Sequence, residues 1–202
     1  CKEYKPCVTE FSEEHSCSCW LYCMDQAEEL RNVIKKQNQR TKKPARIITV
    51  TSGKGGVGKS NIAVNLAVQF QRMGLKTIIF DADIGLANVE VMFGTIPQYS
   101  LNDLIYHDKE IEDIITDGPE GVGFISGGSG IMGLSNLTLD QISYLVKSVE
   151  KLSVIADIVI VDTGAGISDS VMEFVASSPE ILLVTTPEPS SLTDAYSLLK
   201  ML

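Results

Sequence analysis

The stretch Ile47-Ile48-Thr49-Val50-Thr51-Ser52-Gly53-Lys54-Gly55-Gly56-Val57-Gly58-Lys59-Ser60 decides the fold class of this chain. A β-branched run suited to a buried strand leads into G-x-x-x-x-G-K-S, and the residues after Ser60 carry helical periodicity. Strand, glycine-rich loop and helix in that order build an anion seat. Glycines have no Cβ to obstruct the loop, so successive backbone N–H groups of Gly55 to Ser60 can curl around a phosphate, and the helix that follows adds its positive end. Lys59 would bridge β- and γ-phosphates as a point charge while the Ser60 hydroxyl coordinates Mg2+.

Such an ion also needs carboxylates, and parallel sheets present them at the C-terminal ends of neighbouring strands. Two strands end in acids. Ile158-Val159-Ile160-Val161 runs into Asp162, the expected second Mg2+ ligand, and then into Thr163-Gly164-Ala165-Gly166, a turn suited to sensing the γ-phosphate. Lys76-Thr77-Ile78-Ile79-Phe80 runs into Asp81-Ala82-Asp83. Taken alone, Asp81 and Asp83 could serve as helix caps; beside a phosphate loop they read as part of the same site.

Further along, short β-branched runs alternate with helical stretches. Strands are expected at Arg46–Thr51, Lys76–Phe80, Val122–Ser126, Ile158–Asp162 and Ile181–Thr185, and helices at Lys59–Met73, Thr138–Leu152, Asp169–Ala176 and from Ser191 onward. Apolar strands joined by long crossovers imply a doubly wound, mostly parallel α/β sheet covered on both faces. The last helix is still apolar at Leu198, Leu199, Met201 and Leu202 with no glycine cap, so the domain is expected to continue past Leu202.

The 202 residues suffice for such a domain, and 44% hydrophobic with 21% charged residues is a globular balance. No window approaches the roughly 20 continuous apolar residues of a membrane span. A net charge of −9 argues against nonspecific adhesion of the whole surface to nucleic acid or anionic lipid. Basic residues concentrate instead in 31–46, which holds Arg31, Lys35, Lys36, Arg40, Lys42, Lys43 and Arg46 and no acid. Preceding and overlapping that run, Met24 to Asn38 carries Ala27, Leu30, Val33 and Ile34 at helical spacing, with Asp25, Glu28 and Glu29 favouring its first turn. This amphipathic helix with its basic linker is either a solvated element, a partner-binding one or a weak membrane-surface patch.

All five cysteines (Cys1, Cys7, Cys17, Cys19, Cys23) and Trp20 precede Met24. A body without cysteines suits a reduced, cytoplasmic protein. Three readings of the head compete: a metal or iron–sulfur site, although the paired C-x2-C of ordinary zinc sites is lacking; a redox role; and a disordered or upstream-translated leader before a start at Met24. The resulting division is a cysteine-rich leader at 1–23, a helix and basic linker at 24–45, and a nucleotide-binding domain at 46–202 lacking its C-terminal part.

The second lysine of the loop, Lys54, together with Asp81-Ala82-Asp83-Ile84-Gly85-Leu86-Ala87-Asn88 and Asp162-Thr163-Gly164-Ala165-Gly166, resembles the MinD/ParA branch of P-loop ATPases, over about residues 46–202. The resemblance implies ATP and Mg2+ as cofactors, slow hydrolysis, and a homodimer closed around ATP. It assigns nucleotide contact to Gly53, Lys54, Gly55, Gly56, Val57, Gly58, Lys59, Ser60, Asn61 and Gly166, and the metal sphere to Ser60, Asp81 and Asp162. Lys54 would reach the partner's phosphates in trans, the part of an arginine finger, with Lys59 in cis and Asp83 orienting the attacking water. Within that branch, Met24-Asp25-Gln26-Ala27-Glu28-Glu29-Leu30-Arg31 resembles the D-Q-A-x-x-L-R helix of the FlhG/FleN-type flagellar regulators, and Gly127-Gly128-Ser129-Gly130 and Thr185-Thr186-Pro187-Glu188-Pro189 fit the same group.

For such a protein the resemblance implies that Asp25, Gln26, Ala27, Leu30 and Arg31 engage the SRP-like GTPase FlhF, with Gln26 entering its active site. It also implies flagellar basal-body partners and a cytoplasmic location with peripheral membrane attachment through a C-terminal helix beyond residue 202; no nucleic-acid partner is expected, because outside 31–46 the chain carries 10 basic against 26 acidic residues. A cell-division MinD or a partitioning ParA would share the loop motifs but not the N-terminal helix. An iron–sulfur carrier ATPase would account for the cysteines but usually continues the Asp-x-Asp turn into Gly-Pro-Ser, where this chain has Gly85-Leu86-Ala87. A nucleotide-binding adaptor without turnover would leave Asp83 idle.

Overall fold

The computed structural model describes residues 44–86, 88–128 and 137–202. The expected helix at Met24–Asn38 and the cysteine-bearing head lie outside the described residues, as do Ala87 and 129–136. Within them the chain runs β1 (Arg46–Ser52), α1 (Lys59–Arg72), β2 (Thr77–Ala82), α2 (Val89–Phe93), α3 (Leu101–Tyr106), β3 (Thr116–Asp117), a 3-10 turn at Pro119–Gly121, β4 (Gly123–Ile125), α4 (Leu139–Leu152), β5 (Ile158–Ala165), α5 (Asp169–Ala176), β6 (Glu180–Leu183) and α6 (Pro189–Met201). The strands form one sheet in the order β3-β4-β2-β5-β1-β6. All neighbours are parallel except β3 and β4.

This is the expected doubly wound architecture, and its cause is visible in the alternation of each strand. On β2, Ile78 and Phe80 join one apolar layer and Ile79 the other; on β5, Val159 and Val161 oppose Ile158 and Ile160 in the same way. The first layer packs beneath α3, α4 and α5 through Leu101, Leu104, Leu145, Val149, Leu152 and Phe174. The second packs beneath α1 through Ala63, Val64 and Ala67. Because both faces are covered, β2 is buried along its whole length, and so is β5 through Thr163.

Helix starts follow local chemistry. Thr138 caps α4 by accepting from Gln141 N at 3.3 Å while Gln141 Oε1 accepts from Thr138 N at 2.9 Å, the reciprocal capping box that T-x-x-Q encodes. Ser100 and Asp103 repeat it at α3. At the far edge, Arg46 of β1 donates two hydrogen bonds to Glu180 of β6, both 2.6 Å, which ties the edge strand to its neighbour.

Several features depart from the sequence expectation; among the boundaries, β2 runs on from Phe80 to Ala82 and α6 starts at Pro189 rather than Ser191. Strand β3 and helices α2 and α3 are additions to that expectation; with two, five and six residues they are too short for periodicity to register. The edge strand β6 lies one residue earlier than expected and ends at Leu183 rather than Thr185. Strand β5 runs past Asp162 to Ala165, because Ala165 still pairs with Ser52 after an irregularity in the β1–β5 register.

Leu145 on α4 is fully buried, whereas Leu139 on the same helix is 66% exposed. Leu145→Ala is therefore expected to lower unfolding free energy by about 2–5 kcal/mol, and Leu139→Ala by no more than about 0.5 kcal/mol. Urea denaturation of the two variants measures the difference.

Candidate nucleotide-binding site

The loop between β1 and α1 lies at the C-terminal edge of the sheet, where strand order turns from β5 to β6 around β1. Gly58, the residue before α1, has φ +96°, a left-handed conformation that a side chain would strain. Gly53 is needed for a different reason. A Cβ there would lie 2.3 Å from the carbonyl carbon of Asp194, so the start of the loop rests directly on the backbone of α6. Ser52 Oγ donates to the Lys54 carbonyl at 2.7 Å and fixes the turn between them.

Gly55, Gly56, Gly58, Lys59, Ser60 and Asn61 line an open cavity of about 400 Å3, and Asp83, just past the end of β2, and Ala165, the last residue of β5, line it as well. The sequence-predicted loop and water-orienting acid are thus brought together. Asn88, Val91 and Met92 line the same cavity. None of these three is among the site residues expected from the sequence, because α2 is too short to announce itself. Val57 packs inward against the α1 layer, and Gly166 is not among the residues that line the cavity; its N–H donates to the Ser52 carbonyl at 3.0 Å.

The two acids expected in the metal sphere are in register, Asp81 of β2 beside Asp162 of β5, and both are fully buried. Their carboxylates are used differently. Asp81 Oδ1 accepts from Asp83 N at 3.1 Å, and its Oδ2 accepts from Asn88 N at 2.9 Å and Val89 N at 3.1 Å. It therefore holds the loop that carries Asp83. Neither oxygen of Asp162 has a hydrogen-bond partner among the described residues. Burial pushes Asp81 up to about 7, and the neighbouring Asp162 charge adds to the rise while the Val89 and Asp83 amides oppose it. Burial likewise pushes Asp162 up to about 6, against the pull of the Ser60 hydroxyl and the Lys59 charge. Asp83 is half-buried and also raised by desolvation, with Lys59 and the Asn88 amide opposing.

An unpartnered buried carboxylate, a hydroxyl beside it and a second acid in register form a hard oxygen donor set, which fits Mg2+ rather than a soft metal. A divalent ion would supply the positive charge that these acids lack.

Lys54 is placed apart from the cavity. Its Nζ donates to Glu188 Oε2 at 2.7 Å and to Ser190 Oγ at 2.9 Å, at the start of α6. The stretch Thr185–Pro189 thus acquires a role that the sequence pattern did not suggest. Asp25, Gln26, Ala27, Leu30 and Arg31 lie outside the described residues.

A carboxylate raised in the fold binds its proton more tightly folded than unfolded. Its contribution therefore favours the native state at low pH and is lost as pH rises from 3.8 through about 6 for Asp162. Asp162→Asn, free of nucleotide and Mg2+, is expected to melt roughly 5 °C above wild type near pH 8, and with no advantage near pH 4. Thermal unfolding followed by circular dichroism at the two pH values measures this.

The family model for ParA, described as a NUBPL iron-transfer P-loop NTPase, matches residues 43–202. The antiactivator FleN of Pseudomonas aeruginosa is 43% identical over 159 residues, covering 79% of this chain and 57% of FleN. The flagellum site-determining protein YlxH of Helicobacter pylori is 37% identical over 182 residues, covering 88% of this chain and 62% of YlxH. Among solved structures, the septum site-determining protein MinD of Pyrococcus horikoshii, complexed with Mg-ADP, superposes with a TM-score of 0.66 at 30% identity, covering 78% of this chain and 65% of MinD. The chain spans about six tenths of the length of these curated relatives. With the phosphate loop, the paired acids and the parallel sheet in the arrangement described, the chain belongs to the ParA/MinD family of P-loop NTPases.

Proposed function

We propose that this chain is the nucleotide-binding core of an ATP-driven switch that dimerises around ATP, hydrolyses it slowly and sets flagellar number or placement. The observation that carries the switch reading is the disposition of the two lysines in one loop. Lys59 lines its own cavity, while Lys54 does not and is held at the surface by Glu188 and Ser190. A cation beside a phosphate site but outside it is suited to neutralise charge on a second nucleotide, brought by another copy of the chain. The Lys54–Glu188 pair is solvent-exposed, so releasing it costs little. The flagellar assignment rests on the identity to FleN and YlxH.

In the proposed reaction Ser60 and Asp162 hold Mg2+, and Asp81 shapes that side of the sphere by fixing the loop before Asn88. Bound there, Mg2+ would supply positive charge against the acids and the phosphates. Lys59 neutralises the β- and γ-phosphates in cis, Gly55 to Asn61 cradle them with backbone N–H groups, and Asp83 holds the attacking water. Gly166, tied to the end of β1, responds to the γ-phosphate. Chemistry of this kind is positioning and charge neutralisation, with intrinsic turnover on the order of 10⁻² s⁻¹ or below. The N-terminal segment, through Asp25, Gln26, Ala27, Leu30 and Arg31, is proposed to stimulate the SRP-like GTPase FlhF. Basal-body components and the inner membrane surface are the further proposed partners of the full-length protein.

Lys59→Ala is expected to abolish ATP binding, measured by equilibrium titration. Lys54→Ala is expected to bind ATP yet neither dimerise nor hydrolyse it; normal ATP-dependent dimerisation by sedimentation would refute the trans role. A peptide of residues 24–40 is expected to raise FlhF GTPase turnover, and its Gln26→Ala version is expected to lose that effect. No stimulation by the wild-type peptide would remove the FlhF arm and leave an ATPase of undefined cargo.

A further inference from the structure

The turn that leaves β4, Ser126-Gly127-Gly128, contributes no side chain to the phosphate cavity, yet it packs against the segment that carries Asp83. A Cβ on Gly127 would lie 3.0 Å from the carbonyl oxygen of Asp81 and 3.1 Å from that of Asp83. The Gly127 carbonyl accepts from Gly85 N at 3.4 Å, a long contact on the far side of the same loop. Ser126 fastens the turn on two sides. Its Oγ donates to Glu90 Oε2 of α2 at 2.5 Å and accepts from Gly128 N at 3.1 Å, while its carbonyl accepts from Leu101 N at the start of α3 at 3.0 Å.

The carboxylate of Asp83 is confined from other directions. Asn88 Nδ2 donates to its Oδ2 at 3.1 Å, and a Cβ on Gly164 of β5 would lie 3.2 Å from its Oδ1. Asp83 therefore sits in a slot with Gly127 behind its backbone and Gly164 beside its carboxylate. The Asp81 carboxylate holds the loop from within through three backbone amides. A carbon within 3.1 Å of two backbone oxygens is tighter than ordinary van der Waals contact, so a side chain at position 127 is accommodated only by a shift of a few tenths of an ångström between the turn and the Asp81–Asp83 backbone. A group that orients a reactant is sensitive to such shifts: about 1 Å costs on the order of a hundredfold in rate, and a few tenths of an ångström a correspondingly smaller factor.

We propose that the Ser126–Gly127 turn is a positioning element for Asp83, by which the end of β4 sets the hydrolytic rate without touching the nucleotide. The proposal rests on Asp83 orienting the attacking water. Because the turn does not line the phosphate cavity, altering it acts on kcat and leaves ATP affinity and ATP-dependent dimerisation in place.

The test uses the full-length protein, with single-turnover ATP hydrolysis, equilibrium titration of a fluorescent ATP analogue and sedimentation. Gly127→Ala is expected to lower kcat about tenfold, with ATP affinity and dimerisation within about twofold of wild type. Ser126→Ala is expected to lower kcat in the same way, and Ser126→Thr, which keeps the hydroxyl, to restore it. On an Asp83→Ala background, Gly127→Ala is expected to add no further loss, because the group it positions is gone. A folded Gly127→Ala protein with wild-type kcat overturns the proposal. So does a loss of affinity that parallels the loss of rate, or losses that multiply in the double variant. If Gly127→Ala does not fold, the Ser126 pair decides: equal rates in Ser126→Ala and Ser126→Thr overturn it. Wild-type turnover in Asp83→Ala alone would instead overturn the water-orienting role on which the proposal stands.

Discussion

Two carboxylates, Asp81 and Asp162, are buried side by side in register at the ends of adjacent parallel strands. Burial alone disfavours their ionised forms, and their proximity disfavours them further. The surrounding elements answer this constraint. Three backbone amides of the segment from Asp83 to Val89 converge on Asp81, Lys59 stands near Asp83 and Asp162, and the Ser60 hydroxyl faces Asp162 from the first turn of α1. The segment after β2 takes its shape from the acid it must satisfy. That shape in turn starts α2 and sets Asn88, Val91 and Met92 on the wall of the cavity.

A site built this way is matched to a cation and a polyphosphate together. Mg2+ would offset the charge of the acids, and phosphates would give the glycine loop and Lys59 their counter-charge. The same arrangement explains why nucleotide state is expected to reach the surface. Both segments that carry cavity residues, the one with Asp83 and Asn88 and the one with Ala165, are tied by backbone hydrogen bonds to elements outside the cavity: Gly85 to Gly127 after β4 and Gly166 to Ser52 at the end of β1. Lys54, whose partners lie at the start of α6, links the phosphate loop to a third element. Gly53 reinforces that link through its approach to the α6 backbone.

The phosphate loop was legible in the sequence because its requirements are local. Glycine at 58, lysine at 59 and a hydroxyl at 60 fall within one short motif spanning the loop and the start of α1, whereas the need for glycine at 53 is tertiary, because its contact is with the Asp194 backbone. The helices α4 and α1 were legible for a similar reason, since their periodicity extends over 14 residues each. Helix α3 left a trace in Ser100-Leu101-Asn102-Asp103, a capping pattern that becomes readable once six residues are accepted as a helix. The two-residue β3 left none.

The sequence by itself determined the class of fold, the phosphate seat and the candidate acids, because hydrophobic period and short motifs carry those instructions within single elements. Tertiary structure decided what each acid does. Asp81 and Asp162 both follow an apolar strand, yet one is committed to backbone amides and the other has both oxygens without a hydrogen-bond partner among the described residues. That difference depends on a loop folding back from α2, which no local pattern specifies. Likewise the contacts of Lys54 with Glu188 and of Gly127 with Asp83 join residues more than 130 and more than 40 positions apart, and arise only because strand order brings the ends of β1, β2, β4 and β6 to one edge of the sheet.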